Sequence, residues 1–387
     1  MGLIIISFIA FISLGLPDGL LGVAWPGIRE YFDLPVNALG IIIFCGTGGY
    51  MLSSFLNGIL IRSLGVGRLL SLSCAATACS LFVYAQTNNW LVFVTFAVIN
   101  GLGAGAIDAS INTYVAKYHS SRMMQWLHAS FGLGITSGPL IMTLGISMTS
   151  QWQIGFLFVS IAIAILALVF FVTKSMWLGI SVYNSQDHHA ETEASLFETL
   201  KTIPAQLSML TFFLYTGVEL GLGMWIYSLL TESRGVALEV AGFITGSYWG
   251  MFTVGRIIAG LYAKKIADRK LIYLSVCLAL LGIGLLITNS GQLTSIIGIG
   301  VAGLAIAPIF PGLVSNTASR VGQIHNANTI GLQIAASGFG IAIVPSLAGL
   351  LAKIYGLEAI PLYLLTVLSL MLLVFAAMNF QSNKKAR

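Results

Sequence analysis

The sequence predicts an all-α membrane protein of twelve transmembrane helices in two six-helix halves, and three observations predict it. Of 387 residues, 57% are hydrophobic and only 8% charged, against roughly 25% charged in a soluble domain. The apolar residues fall into segments of about 20, the length that crosses a hydrocarbon core of about 30 Å. The basic residues gather in alternate connections between those segments. The net charge of +5 therefore reads as a topology signal: no arginine-rich run with interleaved aromatics points to nucleic acid.

In chain order, the first six segments centre near residues 13, 49, 78, 102, 138 and 163, and the last six near 218, 251, 280, 304, 339 and 368. The run 1–16 has no basic flank and no small-residue cleavage site, so it is expected to be the first span and not a removable signal. The expected domains are an N-terminal bundle over 1–173, a linker over 174–205 and a C-terminal bundle over 206–387. The linker is the longest polar stretch, with Asp187, His188, His189, Glu191, Glu193 and Glu198. With both termini cytoplasmic, fourteen Lys and Arg residues lie inside and only Arg29, Arg234 and Lys353 outside, with Arg256 left within a span. The expected location is the cell (inner) membrane, with the chain a monomer in the bilayer. Cys45, Cys74, Cys79 and Cys277 all fall in apolar runs and are expected to be buried thiols.

The halves carry an internal repeat. A basic connection running from Gly58 to Arg68 follows the second span, and one running from Gly260 to Lys270 follows the eighth, an offset of 202 residues from Gly58 to Gly260. Gly132, Gly134 and Pro139 of span five match Gly338, Gly340 and Pro345 of span eleven at an offset of 206. Two similar bundles with a site between them is the architecture of alternating-access carriers.

On these residues the chain resembles the major facilitator superfamily over essentially its whole length. That family's loop pattern, Gly-x-x-x-Asp-Arg-x-Gly-Arg, is approached by Gly58 and Gly65 with Arg68 two residues past the final arginine's place, and with Arg62 where the acid is expected and Lys264 in the second copy. Within the superfamily, Asp18 in the first span and the acid of span four resemble the fucose permease type of sugar and proton symporter.

The polar residues read from first principles centre on three intramembrane acids. A charged side chain at a helix centre in the bilayer costs about 2.5 to 3.5 kcal/mol on insertion scales, so such acids tend to face cavities and carry ion or substrate chemistry. Asp108 shares a helix face with Asn112, and Gly101, Gly103 and Gly105 on that span admit a neighbouring backbone. Asp108 lies about 9 Å to the cytoplasmic side of its span's centre by helical rise. Its structural alternative is a pair with Arg122 or His128. Asp18, between Pro17 and Gly19, is expected at a kink on the outer side, the alternative being a cap of a broken helix. Glu219 sits near the centre of span seven, beyond snorkelling reach. Arg256 lies close to the cytoplasmic loop and reads first as a structural salt-bridge partner.

Asn57, Asn100, Asn112, Gln125, His128, Trp225, Tyr248, Asn316 and Gln333 complete the candidate substrate-binding set, with Tyr50, Tyr227, Trp249 and Asn328 beside them. Amides donate to and accept from sugar hydroxyls, and an indole face stacks on a pyranose ring. For any single member, the alternative is an interhelical bond or lipid-facing packing.

No phosphate loop or metal-ligand spacing is present, so no cofactor and no metal are expected, nor is the chain expected to be an enzyme. The leading expectation is secondary active transport by alternating access: symport of a sugar or similar small polar solute with a cation, a proton favoured over sodium. The alternatives are proton-coupled export of an amphipathic or lipid-like compound and, further off, a non-transporting receptor.

Overall fold

The computed structural model describes residues 2–119, 121–177, 194–262, 268–289 and 291–385, and among them every regular element is helical. In chain order these are α1 (Gly2–Tyr31), α2 (Leu39–Leu64), α3 (Val66–Gln86), α4 (Trp90–Tyr118), α5 (Ser121–Thr149), α6 (Gln153–Thr173), the short α7 (Leu196–Leu200), α8 (Ile203–Ser228), α9 (Leu238–Tyr262), α10 (Asp268–Thr288), α11 (Gln292–Ile306), α12 (Ile309–Ser315), α13 (Thr317–Val321), α14 (Gln323–Tyr355) and α15 (Ala359–Lys385). Among the described residues, eleven helical stretches are long and apolar enough to cross a membrane. The 25-residue α9 is long enough as well, but Glu239, Tyr248, Trp249, Arg256 and its glycines dilute its hydropathy. With α11, α12 and α13 read as one broken span, the twelve segments of the sequence are all helical.

The chain divides into two compact units, Met1–Gln186 with Ile226–Gly250, and Asp187–Trp225 with Met251–Arg387. In the first, α1 packs on α5, α2 on α4 and α3 on α6. Glycine sets the close approaches. A Cβ on Gly134 of α5 would strike the Ile12 carbonyl of α1, and one on Gly49 of α2 would strike the Val98 carbonyl of α4. Without a hydrophobic drive between helices in lipid, such small-residue contacts are what lets helices associate closely. On α4, Gly101 and Gly105 abut α2, at Gly46 and at Tyr50, whereas Gly103 abuts Ser73 and Thr77 of α3. The glycine run seen in the sequence thus serves two neighbours at once.

In the second unit α10 packs on α11 and α15, and α14 packs on α13 and α15. Its glycine contacts repeat those of the first: Gly340 of α14 leaves no Cβ room against the Phe213 carbonyl of α8, and Gly255 of α9 none against the Leu304 carbonyl of α11. Gly49 and Gly255, and Val98 and Leu304, are each 206 residues apart, the same offset that separates Gly134 from Gly340. The internal repeat is therefore a repeat of contacts as well as of residues.

Local features follow from composition. Gly65 ends α2 at φ +74°, with its N–H on the Ile61 carbonyl, a backbone that L side chains rarely adopt. Helix α1 continues through Pro17 and Pro26 without a break in its α-helical run. Phe158, Ile161, Ile165, Leu168 and Val172 of α6 are exposed, as a lipid-facing stripe requires. The same geometry corrects the expectation for the cysteines. All four are free, but only Cys74 is buried; Cys79 and Cys277 are exposed, because an apolar run in a lipid-facing helix need not point inward.

Candidate functional site

In the first unit, α2 and α4 bring a carboxylate and a phenol together. Tyr50 Oη donates to Asp108 Oδ2 at 2.5 Å, and Asn112 Nδ2 donates to Oδ1 at 3.0 Å from one helical turn along. Gly105 makes this possible, since it lets the Tyr50 backbone lie against α4. Asp108 is partly exposed and held by neutral donors, with neither oxygen spent on the suggested partner His128. His128 instead sits exposed, its ring edge-on to Phe11 at 5.8 Å. Arg122 and Gln125 lie on α5, with side chains outside the described residues. Such a carboxyl can hold or release a proton, and the free Asn112 Oδ1, buried with no partner, can accept a further donor.

Asp18 lies in mid-span on α1 and is nevertheless exposed. It lines a cavity of about 20 Å³, room for one water, with Ser13, Thr77 and Asn100. Asn57 is buried and accepts from Ser110 Oγ at 2.8 Å, which joins α2 to α4. Tyr248 is fully buried beside Trp249, their rings 4.9 Å apart and edge-on. Tyr227 is buried too.

In the second unit, Glu219 of α8 has Arg256 of α9 as its charged partner, Nη2 to Oε1 4.0 Å. The Arg256 guanidinium also lies 4.3 Å over the Phe252 ring, and its buried Nε has no hydrogen-bond partner. Both side chains keep some exposure, 28% and 18%, so the pair is loose and reachable. Gln333 is fully buried; its Nε2 donates to Ser208 Oγ at 2.5 Å and to Thr317 Oγ1 at 3.0 Å. Trp225 is buried with its indole N–H on the Pro345 carbonyl at 3.0 Å. Asn316 ends α12, its amide near Gly312 O and Ser315 Oγ. Asn328 holds the linker: its Nδ2 donates to Ala194 O at 2.7 Å, while the Ala194 N–H donates to Ile324 O and Thr199 Oγ1 lies 2.9 Å from His325 Nδ1.

Sequence reading passed over one further ion pair. Arg29 at the end of α1 pairs with Glu232, which sits in a π-helical turn, Leu229–Ser233, that continues α8. Its signal was available, a lone arginine between two apolar segments, but a partner 203 residues away was not. Among the described residues no group of three His, Cys, Asp or Glu converges on a metal position.

A family profile described as the Major Facilitator Superfamily matches residues 3–332 and 207–387. The chain is 24% identical over 365 residues to the glucose/mannose transporter GlcP of Bacillus subtilis, covering 90% of this chain and 87% of that protein. It is 24% identical to human sodium-dependent glucose transporter 1, covering 89% and 73%. It is 25% identical to bypass of stop codon protein 6 of Saccharomyces cerevisiae, covering 93% and 78%. Among solved structures, the nucleoside transporter NupG superposes with a TM-score of 0.78 at 13% identity, over 98% of this chain and 99% of that one. A bacterial homologue of the human lysosomal transporter Spinster gives 0.74 at 12%, over 99% and 95%. At these identities the two structures report the fold.

Proposed function

The chain belongs to the Major Facilitator Superfamily, and from that premise we propose that this multi-pass membrane transporter carries a sugar or similar small polar solute by alternating access, coupled to a cation. The observation that carries the proposal is Asp108, an acid inside a span whose two oxygens are met by the neutral donors Tyr50 and Asn112. An ionised carboxylate there is costly, and a fixed bundle gains from replacing it with an apolar residue. A carboxyl that takes up and releases a proton as access alternates has a reason to stay. Named glucose carriers among the relatives support a sugar as the solute.

In this reading Asp108 carries the proton, a proton being favoured over sodium as its load. The Glu219–Arg256 pair is the second charged element: Arg256 can exchange its loose contact with Glu219 for a substrate oxygen. Asp18, Asn100, Asn112, His128 and Asn316 are the proposed polar contacts of the solute. Asn57, Trp225, Tyr248 and Gln333 are buried, and in this reading they support the helices that carry those contacts. The working bundles in this reading are 1–173 and 206–387, joined by a cytoplasmic linker, with both termini cytoplasmic, in the cell membrane and as a monomer. A carrier moves its solute unchanged, so no catalytic step belongs to this reading.

The test is uptake into proteoliposomes. An inward proton gradient should drive accumulation of at least one labelled hexose or deoxyhexose from a panel, with sodium omitted. Proton-driven export of an amphipathic dye with no sugar uptake under either gradient would replace this reading with efflux.

A further inference from the structure

Where α1, α3 and α5 end and α6 begins, the first unit holds an open cavity of about 660 Å³ whose residues the carrier reading does not use. Pockets that take small molecules run from about 300 to 1,000 Å³. Close packing builds its frame. A Cβ on Gly27 of α1 would lie 2.7 Å from Trp152 Cδ1, and the Trp152 ring stands edge-on to Tyr31 at 5.9 Å, so the α5–α6 connection is seated on the end of α1. Ser150 turns that connection at φ +58°.

The lining divides by chemistry. One side is polar, with Glu30, Gln86, Gln151 and Gln153. Among the described residues no ion pair or side-chain hydrogen bond engages these four, and the neighbouring Arg29 is turned to Glu232. The other side is apolar, Ile154 and Leu157, and it does not end at the cavity. One helical turn further along α6 stand Phe158 and Ile161, 62% and 55% exposed, in the stripe that faces lipid. Gln86 likewise stands one turn beyond Phe82, which with Cys79 and Leu72 forms the exposed stripe of α3, the helix packed on α6. Two lipid-facing stripes therefore reach the cavity at the helix ends, the level at which a bilayer has its headgroups.

An occupant that fits is apolar at one end and polar at the other, and charge narrows the polar end. Among the described residues Glu30 carries the only charge in the lining. An ammonium is matched by that carboxylate, by the glutamine Oε1 atoms and by the exposed Tyr31 ring, which leaves the glutamine N–H groups for phosphate oxygens. A phosphate without an ammonium would face the carboxylate with nothing to neutralise it. A free sugar is matched less well: the Trp152 ring is 5% exposed, packed among Tyr31, Phe93 and Phe156, and offers no face to stack on.

We propose that this cavity binds the headgroup of one phospholipid that bears an ammonium group, with the ammonium on Glu30 and the acyl chains along the α3 and α6 stripes. The site requires only that the chain spans a membrane, so it stands or falls apart from sugar transport.

The test is native mass spectrometry of the purified full-length protein, titrated in detergent with phosphatidylethanolamine or phosphatidylglycerol, to count the lipids held per chain. Wild type should retain one phosphatidylethanolamine at least about tenfold more tightly than phosphatidylglycerol. Glu30→Gln should remove that preference and Glu30→Lys should reverse it; the side chain is exposed, so both variants should keep the wild-type melting temperature. Glu239→Gln, at an exposed acid outside the cavity, should leave the preference intact. Equal retention of the two lipids by wild type, or a preference that survives Glu30→Gln, would overturn the site. So would a hexose that binds wild type and not Glu30→Gln with no lipid preference in either, a result that gives the cavity to a solute.

Discussion

Tyr50 on α2 and Asp108 on α4 are 58 residues apart and joined by a 2.5 Å hydrogen bond, the phenol donating to the carboxylate. Asn112 bonds the other oxygen at 3.0 Å, so the acid is held in one orientation by two neutral groups. A hydrogen bond to a charged group contributes about 1.5 to 3 kcal/mol, so Tyr50→Phe should slow gradient-driven uptake by about tenfold or more while leaving the fold intact. Comparing initial rates with melting temperature checks this. Unchanged rates would show that the phenol does not hold the carboxyl in its working position.

The paired glycine contacts give a stability prediction in duplicate. Gly134→Ala and Gly340→Ala each place a methyl against a neighbouring backbone carbonyl, and each should destabilise by about 1 to 3 kcal/mol. Gly48→Ala, where nothing lies within 4 Å, should be neutral. Thermal melting of the three variants is the measurement. A lowered melting point for Gly48→Ala equal to the other two would remove the packing explanation.

The Arg29–Glu232 pair is part-exposed, with 32% and 22% of the side chains accessible, so its contribution to stability is small, about 0 to 1 kcal/mol. Its place joins the end of α1 to the π-turn after α8. Arg29→Glu should therefore leave melting nearly unchanged but speed hydrogen exchange of the 229–233 amides, whose turn the pair ties to α1. Adding Glu232→Arg should restore protection. Exchange that ignores both charges would mean the pair does not hold that turn.

The linker segment carries a pH prediction. Ser195 and Glu198 form a capping box: the Ser195 N–H donates to Glu198 Oε2 at 2.9 Å, and the Glu198 N–H donates to Ser195 Oγ at 3.2 Å. The Ser195 backbone bond, first, then its hydroxyl, hold Glu198 below its ordinary value of 4.5. A carboxyl lowered on folding contributes its stabilisation in full above the ordinary value and loses it as pH falls through the folded one. Hydrogen-exchange protection of the 195–200 amides should thus persist down to about pH 4.5 and decline only below it. A decline that begins near neutral pH would assign the capping to another titrating group.

The spans were legible because length and hydropathy are local properties, and the glycine offset of 206 was legible because two copies of one contact leave two copies of one pattern. The Asp108–Asn112 bond was legible for the same reason, an i, i+4 spacing on one helix. Tyr50 as the third member was not, since the pairing of α2 with α4 is tertiary and no local signal encodes it. Arg256 was legible as a salt-bridge residue, but its partner Glu219 lies on the preceding helix and is matched only by the crossing of α8 and α9. Thr77 Oγ1, buried with no hydrogen-bond partner, left no trace in the sequence, because a threonine in a span ordinarily bonds its own helix. Which cysteines face lipid was hidden likewise, there being no polar face on an all-apolar helix to mark the outside.

The central claim is that Asp108 moves a proton with the solute. The direct measurement is the pH inside proteoliposomes, read by a trapped fluorescent indicator, when a transported sugar is added outside with no imposed gradient. Wild type should acidify the interior as sugar enters. Asp108→Asn should still exchange labelled for unlabelled sugar across the membrane but show no acidification. Sugar entry in wild type without any proton movement, or acidification undiminished in Asp108→Asn, would contradict the account.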